Sequence, residues 1–168
     1  MSPEETQKPG YYALEATYTD RGAGDVPPIN ASATLYLRQR LVEAEAADEI
    51  HGPQVLGSGN ASGQKFIGAI DHDHWLKFRG VNLARVRKIG LRVASAGSGG
   101  AIEIRRDAPD GELLGSTPVE VNGNWEQFYD KSVELPELTG RHDLFIRFVN
   151  EKNRGGLMNL DSVNFLAK

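Results

Sequence analysis

The sequence predicts an all-β chain, a two-layered antiparallel β-sandwich of the jelly-roll kind with an N-terminal β-hairpin extension, and three observations carry that prediction. Short segments rich in β-branched and aromatic residues recur along the chain with turn signals between them. Within those segments apolar residues alternate: Ile89, Leu91 and Val93 share one face of a strand, Gly90, Arg92 and Ala94 the other, and Leu144, Ile146 and Phe148 repeat the pattern. The breaks hold turn dipeptides, Asp110-Gly111 after Pro109 and Asn122-Gly123 after Val121, which swing the chain back between neighbouring strands.

Taken in order, the residues up to about Gly10 are polar, carry Pro3 and Pro9, and read as a disordered lead. Tyr11 to Thr19 reads as a strand, Arg21 to Pro28 as a turn-rich loop, and Ala33 to Leu37 as a second strand. A lone hairpin is marginal, so this one is expected to pack on the main domain or on whatever precedes it in a longer protein. Residues 1–40 are therefore the linker and hairpin extension, and residues 41–168 the sandwich. On propensity alone, the Glu/Ala-rich stretch from Val42 to Glu49 is a short helix. Strands are expected around Phe66–Ile70, Trp75–Phe78, Lys88–Ala94, Ala101–Arg106, Leu113–Ser116, Trp125–Tyr129, His142–Val149 and Ser162–Leu166.

Composition excludes several function classes. A chain of 168 residues buries one good core and a small appendage. With 19 basic against 23 acidic residues it has no case for a nucleic-acid or anionic-membrane surface. The absence of cysteine excludes disulfides and thiolate metal sites. No apolar stretch is long enough to insert into a membrane, and Met1 to Glu5 lacks the charged and apolar regions of a signal peptide. The expectation is the C-terminal part of a longer exported protein, extracellular or periplasmic. No Gly-x-Ser-x-Gly elbow, phosphate loop or His-Glu-x-x-His pattern is present, so the chain is not expected to be an enzyme.

A few residues carry chemistry. Trp125 follows a glycine turn, where a strand is only beginning; its indole either projects and offers an apolar face to a pyranose ring or fills the core. Asn159 presents a donor and an acceptor together, matching vicinal sugar hydroxyls, or else caps a turn after Gly155-Gly156. Trp75, inside a strand, reads as core. Glu43 and Glu45 lie two apart, hence on one face of a strand, and with Asp161 they offer the hard oxygen ligands a calcium ion takes. The other reading is two exposed glutamates and a turn-capping aspartate. His72 and His74, also two apart, share a strand face that suits zinc or nickel if the fold brings a third ligand.

The succession Gly99-Gly100-Ala101-Ile102-Glu103-Ile104-Arg105, Asp110-Gly111-Glu112-Leu113-Leu114-Gly115, Gly123-Asn124-Trp125, Gly140-Arg141-His142-Asp143-Leu144 and Met158-Asn159-Leu160-Asp161 resembles the family 6 carbohydrate-binding modules. These are non-catalytic, galactose-binding-domain-like sandwiches attached to secreted polysaccharide-active proteins, and the resemblance runs from about Leu41 to Lys168. It implies that Val42 to Glu45 is the first strand of the module, against its helix propensity. It also implies a loop-edge cleft with Trp125 as platform and Asn159 as anchor, and a structural calcium on Glu43, Glu45, Asp161 and backbone oxygens near Gly63 to Lys65. The partner implied is an oligo- or polysaccharide, bound weakly by a monomeric unit within a larger parent protein. Where the family carries a Gly-Tyr pair as the second wall of the cleft, this chain has Gly68-Ala69; His72, His74 and Tyr129 stand to replace the missing ring. Some members use a second site on the concave sheet face. The alternative is a structural or interdomain module with no glycan ligand, which Ala69 favours.

Overall fold

The structure is a computed structural model that describes residues 11–167. The polar lead up to Gly10 lies outside them. The chain divides into two compact units, Met1–Gln39 and Arg40–Lys168. In the first, β1 (Tyr11–Thr19) and β2 (Asn30–Arg38) form an antiparallel hairpin in unbroken register. Asp20 closes its long loop: its Oδ1 accepts the N–H groups of Ile29 and Gly22, and those bonds hold its carboxyl below the usual range.

The second unit is built of short antiparallel strands. They are β3 (Leu41–Glu43), β4 (Glu49–His51), β5 (Gln54–Gly57), β6 (Lys65–Gly68), β7 (Trp75–Asn82), β8 (Val86–Ser95), β9 (Gly100–Arg106), β10 (Glu112–Val119), β11 (Asn124–Glu134), β12 (Arg141–Val149) and β13 (Asn159–Ala167). One layer runs β10-β9-β12-β7-β4; the other runs β11-β8-β13-β6-β5, with β3 also paired to β13. This is the all-β sandwich that the alternating pattern predicts. Among the described residues no helix is long and apolar enough to cross a membrane.

The inward faces are those marked by alternation. Leu76 and Phe78, Ile102 and Ile104, and Leu144, Ile146 and Phe148 face Ile89, Leu91, Val93, Leu160 and Val163, all of them buried. Phe78 meets Phe165 across the layers, ring centroids 5.9 Å apart in a T-shaped pair.

The Glu/Ala stretch is neither a helix nor a continued strand. β3 lies in the six-stranded layer and β4 in the five-stranded one, so the chain must cross the sandwich edge within a few residues. It does so in a 3₁₀ turn, Ala44–Ala46, with the Ala47 N–H donating to the Ala44 carbonyl and Ala44 fully buried. Phe78→Ala is expected to lower the unfolding free energy by about 3–5 kcal/mol, since it opens a cavity between both layers; urea unfolding measures it.

Candidate functional site

The loop end of the sandwich gathers the residues expected to form the cleft. Between Asn124↔Ser95 and Tyr129↔Val93 the β11/β8 ladder is irregular, so residues 125–128 swing out of the sheet. The excursion is pinned by side chains: Asn124 Oδ1 accepts the N–H of Glu126 and of Gln127, and Asn122 Nδ2 donates to the Gln127 carbonyl. Trp125 is thereby left 41% exposed. Its ring rests against Gly97, where a Cβ would lie 2.6 Å from the indole Cη2 and 1.9 Å from the Gly156 carbonyl oxygen. Only glycine permits that three-way approach.

Asn159, at the start of β13 and almost buried, donates from Nδ2 to the Trp125 carbonyl at 2.7 Å. Its Oδ1 faces Gly68, whose Cβ would lie 3.1 Å away. The amide thus fixes the platform's backbone and keeps its acceptor for something else. Ala69 is exposed and sits at φ 52°, a left-handed conformation unusual for a residue with a side chain. The structure brings Trp125, Asn159 and Gly68-Ala69 to one edge.

The side chains expected to replace the missing wall find other partners. His72 to His74 lies in a turn, with Asp73 at φ 66°, so strand alternation does not govern the two rings and the zinc-like pairing does not form. The His72 side chain is only 7% exposed; Nδ1 accepts the Asn150 N–H and Nε2 lies 3.1 Å from Asp73. That corrects its assignment to the cleft: it clamps the loop carrying Gly155 and Gly156, together with Asp71 Oδ1, which accepts the Gly156 N–H. Arg147 and Arg154 reach Asp73 from the same side, and Arg147 holds its carboxyl below the usual range. His74 Nδ1 accepts the Asp71 N–H and its ring covers Gly52. Tyr129 donates its hydroxyl to the Glu120 carbonyl at 2.6 Å, and burial pushes that hydroxyl's pKa up.

The three carboxylates read as metal ligands do approach one another. Asp161 is fully buried; Oδ1 accepts the Ser62 N–H at 2.9 Å, and Oδ2 takes the Arg92 guanidinium. The Ser62 hydroxyl lies 2.8 Å from that Oδ2 and 2.7 Å from Glu43 Oε2. A hydroxyl has one proton, so it donates to only one of the two. Glu45 approaches from the 3₁₀ turn, where Gly63 lies beside both glutamates. Its Oε2 is buried with no hydrogen-bond partner. Burial raises the Glu45 pKa above its ordinary value, and the charges of Glu43 and Asp161 raise it further. Among the described residues no group of three acidic or imidazole side chains converges as a finished metal cage. Arg92 and Ser62 were not legible as members of this cluster, because neither is a metal-type ligand in the sequence.

Comparison with known proteins decides the family. The family model described as carbohydrate binding module (family 6) matches residues 43–167. The chain belongs to carbohydrate-binding module family 6. A solved family 6 module from Clostridium cellulolyticum in complex with xylose is 31% identical, with a TM-score of 0.69 over 75% of this chain and 95% of that one. A β-1,3-glucan-binding family 6 module from Bacillus halodurans is 34% identical, with a TM-score of 0.70 over 76% and 95%. Endo-1,4-beta-xylanase A of Thermoclostridium stercorarium is 22% identical over 165 residues, 98% of this chain. The chain spans only 31% and 24% of the length of two of the curated relatives it matches. By family it is a carbohydrate-binding, non-catalytic module.

The module's second notable surface is the outer face of the five-stranded layer. Trp75, expected in the core, alternates with Leu76 and Phe78 and so points the other way, half-buried. It stacks on His51 with centroids 4.9 Å apart and meets the edge of Phe145 at 5.2 Å. Lys77 lies over Phe145, and Arg105 and Arg147 hold Glu103 in the next rows. Gly97→Ala is expected to displace the Trp125 ring, shift its fluorescence to the red and cost about 1–3 kcal/mol by overpacking; emission spectra and urea unfolding of one sample check both.

Proposed function

We propose that the module holds a β-linked polysaccharide, xylan first, at its loop edge, with Trp125 as the stacking platform and Asn159 as the polar anchor. The observation that carries this is an exposed indole held at two points, by Gly97 against its ring and by the Asn159 amide on its carbonyl. Because Asn159 Nδ2 is already engaged, the anchor works by accepting a sugar hydroxyl at Oδ1. The xylose complex among the similar structures and the xylanase among the relatives support xylan; the glucan-binding neighbour widens the class to β-glucans. One ring instead of two leaves affinity on the order of micromolar to millimolar, since each hydroxyl captured must first lose its water. The module works as a covalent part of a longer exported protein.

Trp125→Ala is expected to weaken xylan binding about tenfold or more, equivalent to about 1.4 kcal/mol, with little loss of thermal stability. Ala69→Tyr should tighten it several-fold by restoring a second wall. Calorimetry against xylan, β-1,3-glucan and cellulose measures both. A Trp125→Ala protein that unfolds would show the ring to be structural, and a folded parent that binds none of the three would favour a module without a glycan ligand. The stacked Trp75 favours one further reading, a second glycan site on the outer sheet face; binding that survives Trp125→Ala and disappears in Trp75→Ala would place the site there.

The same module is proposed to carry a structural calcium on Glu43, Glu45 and Asp161. The donors suit a hard cation, and positive charge is sparse around them: Arg92 pairs with Asp161, and Lys65 acts on Glu45. The orphaned Glu45 Oε2 is the position a cation would complete. A bound calcium would supply the charge that ties β3 and the Ser62 loop to β13. Folding keeps a proton on Glu45 above pH 4.5, where the unfolded chain has released it, so this group's contribution to stability is lost as pH rises through its raised value. In chelator, the melting temperature of the parent should therefore fall relative to Glu45→Gln as pH rises above 4.5. Calcium should abolish that fall and raise the parent's melting temperature only; no response to calcium would remove the claim.

A further inference from the structure

We propose that the N-terminal hairpin is a docking element whose apolar face is covered by another domain of the same polypeptide. The register places Tyr12 opposite Leu37, Leu14 opposite Leu35, Ala16 opposite Ala33 and Tyr18 opposite Ala31. By alternation all eight side chains share one face, with no polar residue among them, while Glu15, Thr17, Ser32 and Thr34 lie on the other. Tyr12, Leu14 and Tyr18 are 65%, 60% and 69% exposed, and Leu35 and Leu37 nearly half exposed. A contiguous apolar face on a two-stranded ribbon marks an interaction surface, because such a ribbon is barely stable without cover.

Size selects the occupant. Two strands of nine residues, rising about 3.4 Å per residue and about 4.8 Å apart, present a footprint of about 300 Å², which the relief of the side chains raises to roughly twice that in accessible surface. A stable interface between free partners takes about 800 Å² from each. The face is therefore too small for a second copy or a diffusing protein. It is sufficient for a domain held on the same chain, where tethering supplies an effective concentration in the millimolar range. The curated relatives agree with a tethered occupant: the match covers 98% of this chain, the hairpin included, and both relatives are more than three times as long as the part matched. The occupant is thus a covalently attached domain presenting an apolar patch of matching length. The inference does not depend on which glycan the module binds.

The test is amide hydrogen exchange across Tyr11 to Arg38, measured in this 168-residue chain and in the full polypeptide its gene encodes. Exchange is expected to be at least tenfold slower in the full polypeptide. Leu14→Lys should remove that slowing, whereas Thr17→Lys on the opposite face should keep it, and both should leave xylan binding unchanged. The unsubstituted comparison decides the matter even if Leu14→Lys fails to fold. Equal exchange in both contexts overturns the proposal, as does a gene that encodes nothing beyond these residues. Protection that rises with concentration of the 168-residue chain, together with a dimer mass in sedimentation, also overturns it in favour of a second copy.

Discussion

The loop end of this sandwich depends on burying one carboxylate. Asp161 has no access to solvent, and an ionised carboxylate in that position is tolerated only if its oxygens are hydrogen-bonded and its charge is matched. Its partners come from elements distant in sequence: the Ser62 backbone and hydroxyl from the loop before β6 and the Arg92 guanidinium from β8. The bonds that satisfy Asp161 therefore fix the mutual positions of three separate segments. Arg92 also lies over the Phe128 ring, which extends the same hold to the β11 excursion.

Backbone irregularity makes this arrangement possible. In a regular strand Leu160 and Asp161 would point to opposite faces, yet both are buried. The β13/β8 register slips between Leu160↔Val93 and Ser162↔Arg92, so Asp161 is the extra residue of a bulge and its side chain is re-aimed. On the other side of β8, the β11 ladder breaks opposite the stretch from Val93 to Ser95. Two irregularities thus flank the same few residues of β8, one delivering Asp161 and the other Trp125. Asn159, two residues before Asp161, couples them through its bond to the Trp125 carbonyl.

What the sequence reveals follows from the same physics. Strands with a long alternating run, such as Ile89 to Val93 in β8 and Leu144 to Phe148 in β12, are legible because every second residue faces the core. β4 and β5 are not, since a strand of three or four residues gives alternation nothing to act on. Trp75 misleads for a related reason: period two states that it opposes Leu76, but a tryptophan next to buried residues invites a core assignment unless the sheet's wet face is known to hold aromatics. Trp125, Asn159 and the acidic trio are legible as residue types at turns and strand ends. Their partners are not, because Ser62 and Arg92 acquire their roles only through a bulge that no local pattern announces. His72 shows the opposite error, a ring that advertises surface chemistry and is instead consumed by a backbone N–H.

The proposed cleft, open at Ala69, bears on how such a module can be useful. A single exposed indole contributes little more than the stacking of one ring, and the hydroxyls around it must exchange good hydrogen bonds to water for bonds of similar worth. Affinity from one such site is bounded by that exchange, whatever the sugar. The bound matters less when the site is fastened to a protein that already works along the same polymer, because each rebinding is then intramolecular and governed by local concentration rather than by the intrinsic constant. A fast, shallow site has an advantage there: it releases before it arrests the attached protein. On the proposed reading, a single aromatic wall would shorten each encounter without removing the function, provided the remaining ring is held rigidly. The close packing at Gly97 and the Asn159 amide are the contacts that would supply that rigidity.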